Sequence, residues 1–296
     1  MSNETTVRKK RRRIPAFEWV NGIVLGIFAL ICLFPFVSQV LISFSSPADY
    51  MSAKFIVFPN NFNFESYKYI LTQDRIGTAF GISVFTTICG LALNMTLTVI
   101  LAYALSRKNM FGNRILFYFV LITMFFGGGL IPFYVVVKNL GFMNSLASII
   151  VPFGINTFYA IILRNFFRRV PESVMESCLI DGAGQLRILV SFVLPLSKAG
   201  LATVALFYGV ERWNDWYWPM LFVQNNDLFP LALELRNILS SNQSSGMNNG
   251  SYDPTLLFSQ GQEAATVVIS IIPIMVVYPF LQKYFVQGVM LGSVKG

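Results

Sequence analysis

Tyr208, Glu211, Arg212, Trp213, Asn214 and Asp215 lie in and at the end of a long apolar stretch, and three tryptophans fall between positions 213 and 218. Ionisable side chains at membrane depth are costly and usually face a cavity or one another. Glu211 and Asp215 are four residues apart and would share a helical face, with Arg212 able to pair with either. Such a triad could relay ions. Aromatic rings beside hydrogen-bonding side chains also suit sugars, whose C–H faces stack while their hydroxyls need polar partners. Trp213 and Asn214 are therefore expected on a sugar path with Tyr208, Glu211, Arg212 and Asp215. Trp216, Tyr217 and Trp218 fit an interfacial aromatic belt.

Other chemistry is narrowed by composition. The 296-residue chain contains no histidine, so imidazole catalysis, histidine metal sites and histidine proton relays are excluded. Its three cysteines, Cys32, Cys89 and Cys178, imply no disulfide framework. There is no Gly-x-x-x-x-Gly-Lys-Ser/Thr loop; the run Gly127-Gly128-Gly129 lacks the following lysine and hydroxyl residue. Any nucleotide chemistry must reside on another chain. With 55% hydrophobic and 12% charged residues, the sequence reads as an all-α polytopic membrane protein. Its net charge of +8 flanks apolar runs, which argues against nucleic acid.

Six spans are expected to position these residues: 19–43, 78–105, 113–137, 145–167, 199–223 and 264–284. The first exceeds 20 residues and lacks a cleavage site, so it is read as a retained span rather than a signal peptide. In the third, Gly127-Gly128-Gly129 followed by Pro132 cannot hold a regular helix unaided. The run is either a bend lining a cavity or a close-packing surface. Residues 1–18 form a basic segment, 19–286 the membrane domain and 287–296 a tail; 224–263 is a long outer loop whose part 228–239 suits an amphipathic helix. Sixteen lysines and arginines fall on the side of the two termini and five on the other, placing both termini in the cytoplasm.

Between the fourth and fifth spans, 164–198 reads as two short amphipathic helices. Pro171 suits a first helical turn and Glu172 the positive end of the helix dipole. Val174, Met175, Cys178 and Leu179 share one face. Asp181-Gly182 breaks the helix, glycine taking the left-handed conformation and aspartate beginning the second helix. Leu186, Ile188, Leu189, Phe192 and Val193 form the apolar side of that helix, and Pro195 closes it.

Glu176, Gly182, Leu194 and Pro195, with the string Ile180-Asp181-Gly182-Ala183, resemble the "EAA" loop of permease subunits of ABC importers, in the carbohydrate-uptake branch. Ser177-Cys178 replace the family's Ala-Ala, and Phe192 its usual isoleucine. The string from Gln282 to Gly296 is similar to the tail of the maltose-type second permease. The resemblance implies a type I importer permease in the bacterial cytoplasmic membrane. It implies a second, non-identical permease, two copies of an ABC ATPase that bind ATP and Mg, and an extracytoplasmic sugar-binding protein delivering an oligosaccharide. No cofactor is expected on this chain. Glu176, Asp181, Gly182, Ala183, Leu194 and Pro195 would then dock the ATPase, with Val294, Lys295 and Gly296 reaching between its copies. Arg164, Arg168 and Arg169 suit anchoring to anionic membrane lipid. The competing class is an ion-coupled secondary transporter using Glu211, Arg212 and Asp215; a membrane-bound enzyme is a third, with no nucleophile–base pair to support it.

Overall fold

The computed structural model describes residues 16–52, 62–72, 75–248 and 259–293, and among these residues there are helices and turns but no strand. The basic run 8–13 and Val294, Lys295 and Gly296 lie outside them. Among the described residues three helices are long and apolar enough to cross a membrane by themselves, and the number reaches six if each of three bent pairs counts as one span, the last pair joining Gln185–Leu196 to Lys198–Trp213.

The first span, Ala16–Ser43, is apolar around its whole circumference and lies along the sixth. None of its membrane window is buried within this chain, as suits a helix whose solvent is hydrocarbon. The second span, Ile76–Ser106, is the central post. Its buried positions Ala79, Ser83, Thr86, Gly90, Asn94, Thr98, Ala102 and Leu105 recur every three or four residues, so one small and polar stripe faces inward. The fourth and fifth spans pack on that stripe.

Three spans are interrupted. The third runs Asn113–Phe125, breaks, and resumes as Leu130–Asn139 at 112°. The fourth consists of Ala147–Ile150 with a tight turn through Phe153, then Thr157–Phe167 at 48°. The fifth, expected unbroken over 199–223, is Lys198–Trp213 followed by the short helix Tyr217–Phe222. It stops at Asn214 (φ −90°, ψ 0°), whose backbone amide makes the last ladder bond to the Val210 carbonyl (3.1 Å) while its side-chain amide donates to the same oxygen (2.9 Å). Glu211 and Asp215 therefore do not share a continuous helical face.

The sixth span, Ser259–Ser293, contains Pro273 and Pro279 and continues into the stretch read as a tail. The outer helix spans Leu231–Asn248 and is docked into the protein rather than lying free at the surface. Leu231 and Leu235 join Ile70, Ile76, Trp213 and Ala265 in one buried cluster, and the Leu231 amide donates to the Ser83 hydroxyl (2.7 Å).

Candidate functional site

The loop joining the fourth and fifth spans is built by local chemistry. Pro171 is extended (φ −58°, ψ 135°) and immediately precedes the helix Glu172–Ile180. At the other end the Gly182 amide donates to the Leu179 carbonyl (3.0 Å) and the Ala183 amide to the Cys178 carbonyl (2.9 Å). These two bonds make a Schellman turn, with Gly182 at φ +77° supplying the left-handed residue it needs. Asp181 is thus the end of the first helix and not the start of the second, which begins at Gln185 after an extended Gly184.

The second helix also ends differently from expectation. After Gln185–Ile188 the chain widens into a π turn, Leu189–Val193, and continues through Leu194–Leu196. Pro195 sits inside this run and does not close it; the wide turn next to it accommodates a residue with no N–H to donate. Ser197 (φ −108°, ψ 21°) then ends the run, and the chain turns 85° into the fifth span.

The inner face of this loop belongs to the main core. Cys178, Ile188, Leu189 and Val193 are buried with Ala102 of the second span, Leu163 and Phe167 of the fourth, and Val204 and Tyr208 of the fifth. Ala183 and Leu194 pack against the same cluster. A Cβ on Gly200 would come within 2.4 Å of the Phe166 ring, so the spans flanking the loop meet where only glycine fits. The outer face is open: Glu176, Asp181, Gly182 and Pro195 are exposed, as are the apolar Leu179, Ile180, Leu186, Val190 and Leu196. Ile180 is 87% exposed beside Gly182.

A third attachment was not anticipated. The end of the second span clamps the loop through Arg107, which donates to Gln185 Oε1 (3.1 Å), to the Met175 sulfur and to the Tyr103 hydroxyl. Tyr103 in turn donates to Gln185 Oε1 (3.0 Å). Lys108 pairs with Glu172 (2.7 Å) across an exposed contact that holds the Glu172 carboxyl below its ordinary range. Glu176 lines the groove between these elements, with Lys108, Met175 and Gln185.

At membrane depth a cavity of about 440 Å³ is lined by Gly127, Gly128, Gly129, Asn156, Tyr208, Glu211, Arg212 and Trp218, among others. The run Gly127–Gly129 is a bend that lines this cavity, and a Cβ on Gly127 or Gly128 would meet nothing within 4 Å among the described residues, so these two glycines are not packed against another described span of this chain. Trp218 and Phe222 stack (5.6 Å) and, with Phe133 and Phe153, form an aromatic floor.

Arg212 does not pair with a carboxylate. Its two terminal nitrogens donate to the carbonyls of Ile149 (2.9 Å) and Phe153 (2.8 Å), and its guanidinium lies over the Phe153 ring. Asn94 also donates to Phe153 O (2.7 Å). Tyr208 bonds the Thr98 hydroxyl (2.7 Å) and accepts from the Asn156 amide (2.8 Å), while the Asn156 side chain caps the helix beginning at Thr157. Backbone groups freed by the break in the fourth span are thereby satisfied from the second and fifth spans. Gly90 makes room for the Arg212 stem, which a Cβ would approach to 3.3 Å.

Of the remaining candidates, Glu211 is exposed to the cavity near the Tyr159 hydroxyl. Trp213 is turned the other way, 9% exposed, with its indole N–H donating to the Ser270 carbonyl (3.0 Å) one turn before Pro273. Asn214 is exposed but committed to its own helix, and Asp215 accepts from the Trp218 amide (3.3 Å). Neither Trp213 nor Asn214 lines the cavity. Asn94, Thr98 and Asn156 were missed, although Gly90-x-x-x-Asn94-x-x-x-Thr98 marks a small, polar helical face within an apolar span.

Comparison with known proteins agrees with this architecture. The chain is 40% identical over 282 residues to the polygalacturonan/rhamnogalacturonan transport system permease protein YtcP of Bacillus subtilis, covering 94% of this chain and 97% of that one. Protein LplC of the same organism is 36% identical over 280 residues, covering 95% of each. The crystal structure of a bacterial ABC transporter involved in the import of the acidic polysaccharide alginate contains a chain that superimposes with a TM-score of 0.82. That chain is 31% identical, with 94% of this chain and 99% of that one covered. Residues 94–291 match the family described as binding-protein-dependent transport system inner membrane component, and this chain belongs to that family.

Proposed function

We propose that this chain is one of two non-identical permease subunits of an ATP-driven oligosaccharide importer, and that the loop 164–198 transmits the ATPase stroke to the spans. The observation that carries this reading is the two-faced loop. Its inner side is continuous with the core of the second, fourth and fifth spans, while its outer side presents apolar residues around a glycine-stabilised turn. Exposed Leu179, Ile180 and Leu186 at one tip need a partner surface.

Two copies of an ATPase supply that surface and bind ATP and its magnesium, and an extracytoplasmic binding protein delivers the sugar. The charge asymmetry supports both termini, and this loop, facing the cytoplasm. The cavity of Tyr208, Glu211 and the aromatic floor forms this subunit's wall of the path, with uncharged ring faces for stacking and the Glu211 carboxylate for hydrogen bonds. The polygalacturonan/rhamnogalacturonan permease and the alginate importer among the relatives support a saccharide substrate rather than an ion or amino acid. The ion-coupled alternative has lost its relay, because Arg212 and Asp215 are committed to backbone groups.

The test is ATP-driven uptake by the reconstituted assembly for wild type and Gly182→Asp. The substitution puts a side chain at φ +77° and at the centre of the exposed tip. Uptake should fall below a tenth of wild type, with the ATPase detached or no longer responsive to substrate, while the spans still insert. Uptake that persists without ATP and follows an ion gradient would overturn the reading.

A further inference from the structure

At the end of the bundle that carries the loop 164–198, a separate groove of about 570 Å³ opens between the third and fourth spans. Lys108, Arg114, Arg164 and Arg168 line it beside Phe117 and Tyr118, and no carboxylate is among its lining residues. Lys108 is engaged by Glu172, but Arg114 and Arg168 have no carboxylate within ion-pair distance among the described residues. Arg164 is only 9% exposed and stacks on Phe117 (4.1 Å), with its Nε donating to the Leu105 carbonyl (3.0 Å). Its terminal amino groups remain for the groove. A guanidinium buried to this degree beside two more cations is a costly arrangement that an anion would relieve.

The surroundings identify the kind of anion. Running into the membrane from Arg114, the side chains of Ile115, Phe119 and Ile122 recur at three- and four-residue spacing on the helix Asn113–Phe125 and are all exposed. They make an apolar strip along one face of that helix. Clustered cations at the mouth with an apolar strip leading inward match a phosphodiester with an attached acyl chain. We propose that this groove binds an anionic phospholipid, its headgroup phosphate held by Arg114, Arg164 and Arg168 and one acyl chain laid along the strip from Ile115 to Ile122. The site lies one ion pair away from the first loop helix, through Lys108 and Glu172.

The experiment uses the complete transporter in phosphatidylcholine bilayers doped with phosphatidylglycerol. Native mass spectrometry counts the phosphatidylglycerol retained through delipidation by wild type, Arg114→Gln/Arg168→Gln, Arg114→Lys/Arg168→Lys and Arg169→Gln. Arg169 stacks on Phe166 and does not line the groove, so it controls for charge alone. Wild type, the lysine pair and Arg169→Gln should each keep one phosphatidylglycerol per copy of this chain. The glutamine pair should bind it roughly thirty-fold more weakly, at about fivefold per cation removed, with an unchanged thermal midpoint. Inorganic phosphate should not displace the lipid. Retention by the glutamine pair equal to wild type would overturn the proposal. Displacement by inorganic phosphate alone would overturn it in favour of a soluble-phosphate site. Loss of the ATPase from the glutamine pair with lipid retained would overturn it in favour of a protein interface.

Discussion

The third and fourth spans both break at membrane depth, and the two breaks are handled in opposite ways. In the fourth span the freed carbonyls of Ile149 and Phe153 are taken by Arg212 and Asn94, and the chain restarts under an Asn156 cap anchored by Tyr208. In the third, Gly127-Gly128-Gly129 crosses 112° with open space around its α-carbons and the cavity beside it. One break is latched by donors from two other spans, the second and the fifth; the glycines of the other have no neighbour close enough to touch a Cβ at Gly127 or Gly128. A braced wall and an unbraced wall therefore line the same cavity, and under the proposed function that is a division of labour suited to a path that must change shape around a fixed frame.

The strongest way to break this comparison is Arg212→Met. Methionine keeps an apolar stem but leaves two carbonyls without their charged donors, at about 1.5–3 kcal/mol for each bond. The detergent-solubilised transporter should lose several degrees of thermal midpoint; an unchanged midpoint would mean that the latch holds nothing. A paired alanine substitution sharpens the contrast. A Cβ at Gly154, in the latched break, would lie 2.9 Å from Leu97 Cδ1, whereas one at Gly128 meets nothing within 4 Å. Gly154→Ala should cost about 1 kcal/mol, and Gly128→Ala less than about 0.5 kcal/mol. Equal effects on the midpoint would show that the two breaks are not different in kind.

The smallest effect is expected outside the membrane, at the Lys108–Glu172 pair. Lys108 donates to the Glu172 carboxylate and holds its pKa below the ordinary value. A depressed carboxyl stabilises the fold above its unfolded pKa and loses that contribution as pH falls through the folded value. Both side chains are 60% exposed, so Lys108→Gln should barely move the thermal midpoint at neutral pH and should flatten its decline in the acid range. A large neutral-pH effect would mean that this exposed pair, and not the latch at Arg212, is the main brace.

Much of this was legible in the chain itself, and what was legible was local. The six spans, the break at the three glycines and the turn at Gly182 each follow from a few neighbouring residues whose backbone needs are specific. Pro195 misled because a proline ordinarily marks an end, and only the wide turn before it lets the helix run on. Arg212 misled for a different reason. Its nearest charges in sequence are Glu211 and Asp215, yet its partners are carbonyls of residues 149 and 153, exposed by a break in another span. No pattern within one helix announces that a neighbouring helix will need donors. Trp213 is expected on the path because an aromatic ring beside hydrogen-bonding side chains suits a sugar, but one residue along a helix is about 100° around it, and that step from Arg212 turns its indole to Ser270 of the sixth span.

The wide turn at Leu189–Val193 bears on how this protein can change over generations. A π turn holds one residue more than an ordinary helical turn between the same flanking positions, so deleting one of those five would let the turn relax to ordinary pitch and leave Leu194, Pro195 and the fifth span nearly in register. A deletion in the regular helix Lys198–Trp213 has no such slack: everything after it would rotate by about 100°. The wide turn is therefore the place in this connection where the chain can lose a residue with least displacement of Tyr208 and Arg212 from their partners.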